Sequence, residues 1–145
     1  MYKADIFISH AWRVHPEWEH VVQIIDSLQN LTWRNFSVPW HDPALRPSDP
    51  LGLRLIEEVF IAQILPSNIC IIILDLVKRK SNVRWIEKAV EIAISNDIPL
   101  ISVYEDKNYI EYASKLGISK IFKLDDTSIE KVVNEIATSA EFKYV

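Results

Sequence analysis

Glycine is scarce in this chain: Gly52 and Gly117 are the only two among 145 residues. Neither a G-x-G-x-x-G turn nor a P-loop can be built from them, because both need glycines where the backbone must come close to phosphates. Any dinucleotide must be held another way. Cysteine is scarcer still. Cys70 is alone, so no intrachain disulfide can form, which fits a reducing cytoplasm. Its place in the run Ile69-Cys70-Ile71-Ile72-Ile73-Leu74 reads as that of a small core hydrophobe. No apolar stretch approaches the ~20 residues a membrane span needs. A strand follows almost directly on Met1-Tyr2-Lys3-Ala4-Asp5, so no signal peptide is expected. There is no basic run either. A formal net charge of −4 and a pI near 5.5 argue against a nucleic-acid partner.

What is present is a composition 49% hydrophobic and 25% charged, ordinary for a soluble globular protein and read as one domain over 1–145. Ile6-Phe7-Ile8 is a short apolar strand running into Ser9-His10-Ala11-Trp12. Pro16 suits a first helical position, and Trp18, Val21, Val22, Ile25 and Leu28 follow at helical spacing. Residues 32–50 hold four prolines (Pro39, Pro43, Pro47 and Pro50) and no long period, with a brief edge strand expected at Phe36-Ser37-Val38. A second helix opens at Asp49-Pro50, with Leu55, Ile56, Val59, Phe60 and Gln63 along one side.

Residues 69–74 are apolar without a break, the mark of a strand covered on both faces. The pattern then predicts a helix over 81–95 and a strand at Leu100–Tyr104. A short helix capped by Asn108 and stopped at Gly117 comes next, then a strand at Ile121-Phe122. Thr127-Ser128-Ile129-Glu130 is a capping box for a closing helix with Ile129, Val132, Val133 and Ile136 inward.

Strand and helix alternate without repeats. We therefore expect an α/β three-layer, flavodoxin-like fold whose parallel sheet has five strands in the order 2-1-3-4-5, with helices on both faces. In such sheets ligands bind outside the carboxyl ends of the strands where the order reverses, here between the first and third. The loops at that point are Ser9–His15 and Asp75–Lys80, and the second leads into the helix that carries Trp85.

Asp5-Ile6-Phe7-Ile8-Ser9-His10-Ala11-Trp12 resembles the opening box of TIR domains. Trp33-Arg34-Asn35-Phe36-Ser37-Val38-Pro39-Trp40-His41-Asp42-Pro43 is more specific, and is similar to the loop of the TIR-like subfamily found in bacterial Thoeris antiphage systems. Trp85 and its helix complete a match that covers essentially the whole chain. The resemblance implies an enzyme that cleaves the nicotinamide–ribose bond of NAD on sensing a phage trigger. It implies release of a cyclic or otherwise modified ADP-ribose that activates a separate effector protein. NAD is then the substrate, no cofactor or metal is needed, and self-assembly is left open. A glutamate would hold the ribose hydroxyls and stabilise the oxocarbenium-like transition state, as in glycoside hydrolysis.

That glutamate is missing. The family pattern places it four residues after the tryptophan, and four residues after Trp85 stands Ala89. Glu87 and Glu91 each lie about 200° around the helix from position 89 and point to solvent. Ala89 has three readings: an engineered Glu→Ala substitution, a naturally inactive module, or an enzyme whose carboxylate comes from elsewhere. Plain helix-forming alanine against the sheet fits all three.

The resemblance and the switch-point rule together nominate Ser9, His10, Ala11, Trp12, Asn35, Ser37, Val38, His41, Asp42, Asp75 and Trp85 as substrate-binding. Nine of the eleven have a plainer role to set beside that one. Ser9 and His10 can cap a turn, Trp12 can pack on the surface, and Trp85 can pack beside the loop. Asn35, Ser37, His41 and Asp42 can satisfy the backbone of a loop anchored by Trp33, Phe36 and Trp40. Asp75 can contact ribose but suits capping better. His15 and His20 sit about 140° apart on a helix, so the histidines do not converge on a metal.

Two other functions stand beside NAD cleavage: a non-catalytic TIR interaction module, which Ala89 favours for this chain, and a nucleoside deoxyribosyltransferase-like enzyme, which the Trp33–Pro43 loop disfavours. A flavodoxin would need a hydroxyl- and glycine-rich loop after the first strand, and Ser9–His15 has no glycine. A response-regulator receiver would need an acidic pair there, and it has none.

Overall fold

The computed structural model describes residues 2–11, 15–29, 31–37, 50–124, 131 and 134–135. Five parallel strands form one sheet in the order β2-β1-β3-β4-β5. They are β1 (Tyr2–Ile8), β2 (Leu31–Asn35), β3 (Ile69–Ile73), β4 (Leu100–Tyr104) and β5 (Ile121–Lys123). Between them run α1 (Pro16–Asp26), α2 (Pro50–Ile64), α3 (Val83–Ser95) and α4 (Ile110–Lys115). Parallel neighbours require crossovers, and right-handed ones place α1 on the face opposite α2, α3 and α4. The sheet is therefore the middle of three layers.

Burial follows that order. Every residue of the central β3 is buried, and Cys70 is fully so, because helices cover both faces. The edge strand β2 alternates instead, with Leu31 buried and Thr32 and Arg34 exposed. This strand lies earlier than the Phe36-Ser37-Val38 expected for it; Phe36 and Ser37 follow its end. Registers place Ile6 opposite Asn35 on one side and Ile8 opposite Ile71 on the other, so the carboxyl ends are stepped: β1 runs two residues past β2, and β3 two residues past β1.

Pro16 opens α1 as its sequence position implied. In α3 Trp85, Ile86, Ala89, Val90, Ile92 and Ala93 are buried, while Glu87 and Glu91 are exposed. This helix begins two residues later than expected because residues 74–78 and 80–82 take tighter 3₁₀ turns. Asn82 secures the junction by donating from Nδ2 to the Leu76 carbonyl at 2.9 Å. Gly117 stops the segment after α4 with φ +81, a left-handed value that costs other residues about 1 kcal/mol or more. The cap before α4 is Asp106, whose carboxylate accepts from the Asn108 amide at 2.9 Å; Asn108 itself is not the cap. The closing helix expected over Ile129–Ile136 lies mostly outside the described residues.

Candidate functional site

The switch-point rule puts the expected crevice at the ends of β1 and β3. Ser9 is the first residue past β1 and is fully buried. Its amide donates to the Ile71 carbonyl at 2.8 Å, and its Oγ accepts from the Ile73 amide at 2.7 Å. A hydroxyl here continues the ladder where β1 stops, so Ser9 fastens the two strands at the switch point. Ala11, two residues on, is also buried.

His10 turns toward α2. Its ring is fully buried, stacked on Phe60 at 4.7 Å between centroids, with Nε2 2.8 Å from Gln63 Oε1. Burial pulls its pKa down to about 4; the Gln63 hydrogen bond pushes back up, and nearby His15 adds a further small depression. At neutral pH the imidazole is uncharged. It is thus a neutral hydrogen-bonding group at the mouth of β1.

Phe60 carries the contact onward. Besides a tilted contact with Phe7, it meets Trp85, whose ring lies nearly parallel to it at 5.6 Å with an interplanar angle of 8°. Arg84 places its guanidinium 4.6 Å from the Trp85 ring centroid. His10, Phe60 and Trp85 therefore form one aromatic stack joining the end of β1, α2 and the first turn of α3. Trp85 is 4% exposed and acts first as a wall between the two motifs. Phe60 and Gln63 were read from the sequence only as one side of an amphipathic helix, and nothing in their local pattern marks the long-range contact.

Ala89 sits one helical turn deeper than Trp85 and is fully buried. It lies within the core cluster. In a helix every Cα–Cβ bond tilts toward the N-terminus, here the end of α3 nearest the crevice. A longer side chain at 89 leans toward Trp85.

Asn35 and Ser37 stand at the end of β2. The Ser37 amide and hydroxyl both donate to Asn35 Oδ1, and Trp18 Nε1 donates to Ser37 Oγ at 3.3 Å. The pair forms a closed turn tied to α1, the backbone-satisfying role. Trp12, Val38, His41 and Asp42, the other nominees, lie outside the described residues. Asp75 is buried just past β3, and its two oxygens accept from the amides of Glu105 at 2.9 Å and Asp106 at 3.0 Å. It anchors the loop after β4, the role its sequence position suited best.

A charged seam continues along the same edge. Glu17 in the first turn of α1 meets Lys78 at 2.6 Å and Arg79 at 3.4 Å, and His20 meets Glu105 at 2.5 Å. Burial alone would raise the Glu17 carboxyl, but the Lys78 hydrogen bond and the two cations outweigh it and hold the group below its usual range. Lys78 is raised in turn, chiefly by its hydrogen bond to Glu17. Beside this seam an open groove of about 650 Å³ runs over the ends of β3, β4 and β5. Of its lining the sequence nominated only Asp75; the rest come from Lys78 after β3, the stretch 104–109 and Lys123 at the end of β5. Among the described residues no group of three or more His, Cys, Asp or Glu could hold a metal ion. Nor is any described helix long and apolar enough to cross a membrane.

No protein-family model matches the chain, and neither a curated protein nor a solved structure matches it.

Proposed function

We propose that this chain is a TIR-type NAD nucleosidase or cyclase module whose catalytic carboxylate position is held by Ala89. The observation that carries the reading is the aromatic stack through Phe60. It joins His10 of the opening box to Trp85 of the α3 motif, two segments 75 residues apart in sequence. Both sit at the switch point, where parallel α/β sheets bind ligands.

In this reading the nicotinamide–ribose end of NAD enters the crevice beside Ser9–Ala11. Trp85 bounds it, and the buried, neutral His10 adds no positive charge next to a developing ribosyl cation. A glutamate at 89, leaning up the helix, would supply the negative charge that stabilises this cation. Alanine leaves the fold and removes that group. The active form releases nicotinamide and a cyclic or modified ADP-ribose, the signal for an antiphage effector.

The complete burial of Ala89 favours a second reading, a non-catalytic TIR interaction module in which alanine is simply core packing. Mapping ADP-ribose by amide NMR shifts separates the two. Perturbation centred on residues 9–11 and the Trp85 indole is expected for the nucleosidase. Perturbation at the amino ends of the strands, or none, contradicts it.

A further inference from the structure

Arg84 continues the stack that runs from His10 through Phe60 to Trp85. Its guanidinium carbon lies 4.6 Å from the Trp85 ring centroid, and the residue is exposed. Trp85 thus stacks with a fully buried ring, Phe60, and with a cation that faces solvent. This flank of α3 is turned toward α2, because Lys88, one turn further on, meets Glu57 at 3.9 Å. Arg84 therefore stands in the first turn of α3, at the carboxyl edge of the sheet, beside the stack that leads down to the end of β1.

A guanidinium over an indole engages the ring through its charge and leaves its N–H donors unused. Among the described residues those donors have no partner, since Arg84 forms neither an ion pair nor a hydrogen bond. Lys78 and Arg79 differ, both being engaged by Glu17. Nearby carboxylates are turned elsewhere. Residues 76–86 hold four cations (Lys78, Arg79, Lys80 and Arg84) and no Asp or Glu. Glu87 accepts from the Tyr112 hydroxyl at 3.0 Å, toward α4, while Glu57 and Glu91 are met by Lys88 and Glu58 by Arg54. In a chain of net charge −4, the approach to α3 is a local excess of positive charge.

We propose that Arg84 is the diphosphate anchor of the nucleotide crevice, the residue that selects a dinucleotide over a bare nucleoside. The inference rests on the nucleosidase reading, which puts the nicotinamide–ribose end beside Ser9–Ala11 and Trp85. The diphosphate is the next group of NAD outward from that ribose, and Arg84 is the next group outward from Trp85. A guanidinium fork pairs with two phosphate oxygens at once, a fit that an ammonium lacks. Lys80, exposed on the 3₁₀ turn before α3, adds charge without that shape.

The test titrates ADP-ribose and nicotinamide riboside, which has no phosphate, into the whole chain, Arg84→Gln and Arg84→Lys, followed by amide and indole NMR. Unchanged shifts remote from α3 check that the variants fold. ADP-ribose should shift residues 9–11 and the Trp85 indole of the native chain saturably. Arg84→Gln should weaken it roughly tenfold to a hundredfold, the loss of hydrogen bonds to a charged group, while nicotinamide riboside binds both proteins alike. Arg84→Lys should recover only part of the loss. Added salt should weaken ADP-ribose more in the native chain than in Arg84→Gln. ADP-ribose held at residues 9–11 with equal affinity by the native chain and Arg84→Gln would overturn the anchor alone. Equal weakening of nicotinamide riboside would also overturn it, by showing that Arg84 only props Trp85. ADP-ribose that never reaches residues 9–11 of the native chain would overturn the crevice, and the anchor with it.

Discussion

Ser9 and Ile73 are 64 residues apart, yet the Ser9 hydroxyl accepts the Ile73 amide at 2.7 Å in a fully buried position. With the Ser9 amide donating to Ile71, this bond closes the sheet at the point where strand order reverses. A residue nominated for ligand binding is therefore also a fastener. Ser9→Ala leaves a buried N–H without its acceptor, which costs about 1–3 kcal/mol. Chemical denaturation should show that loss with an unchanged m-value. Ser9→Thr, which keeps the hydroxyl, should recover part of it.

His10 makes stability depend on pH. The unfolded imidazole titrates near 6.5 and the folded one near 4. The folded state therefore binds fewer protons across that interval, and stability rises with pH there. The contribution is fully present above 6.5, is lost as pH falls toward 4, and amounts to at most about 3 kcal/mol. Urea melts at pH 7.5 and pH 4.5 should differ by more in the native chain than in His10→Gln. Equal differences in the two proteins would remove His10 from the account.

The stack through Phe60 makes a graded prediction. Trp85→Ala removes a buried indole and should cost about 3–5 kcal/mol, enough to unfold a marginal domain. Trp85→Phe keeps a ring against Phe60 and should cost distinctly less. If Trp85→Ala melts within about 1 kcal/mol of the native protein, the tryptophan is not the wall described.

Asp75 separates an anchor from a ligand contact. Asp75→Asn replaces one acceptor oxygen with an amide that faces a backbone donor, and should lose about 1–3 kcal/mol in the absence of any ligand. Its amide shifts should change at Glu105 and Asp106. An unaltered melt would assign Asp75 to ligand binding instead.

Much of this was legible in the chain, for identifiable reasons. Ile69–Ile73 announces a doubly covered strand because an unbroken apolar run has no solvent face to mark, and the strand–helix alternation around it gives a parallel sheet. The edge strand Leu31–Asn35 was misplaced because the prolines from Pro39 onward drew the loop boundary too early. Yet Leu31, Trp33 and Asn35 alternate with exposed Thr32 and Arg34, the period of a half-covered strand. The switch-point rule brought Ser9, His10 and Trp85 to one place. Their partners Ile73, Gln63 and Phe60 were not legible, since contacts across 25 or more residues leave no local period. Asp106 rather than Asn108 as the cap is a two-residue error of the kind short 3₁₀ starts invite.

Nicotinamide release by this chain and by Ala89→Glu, assayed side by side with NAD, tests the central claim most directly. Folding of both is checked by circular dichroism, because a glutamate at a fully buried position is tolerated only if its carboxylate reaches the crevice. The native chain should show no detectable release. Ala89→Glu should show it, with a rate gain on the order of 10² to 10³ or more for one preorganised electrostatic group. Equal release by the two folded proteins, or none from a folded Ala89→Glu, would contradict the assignment of position 89.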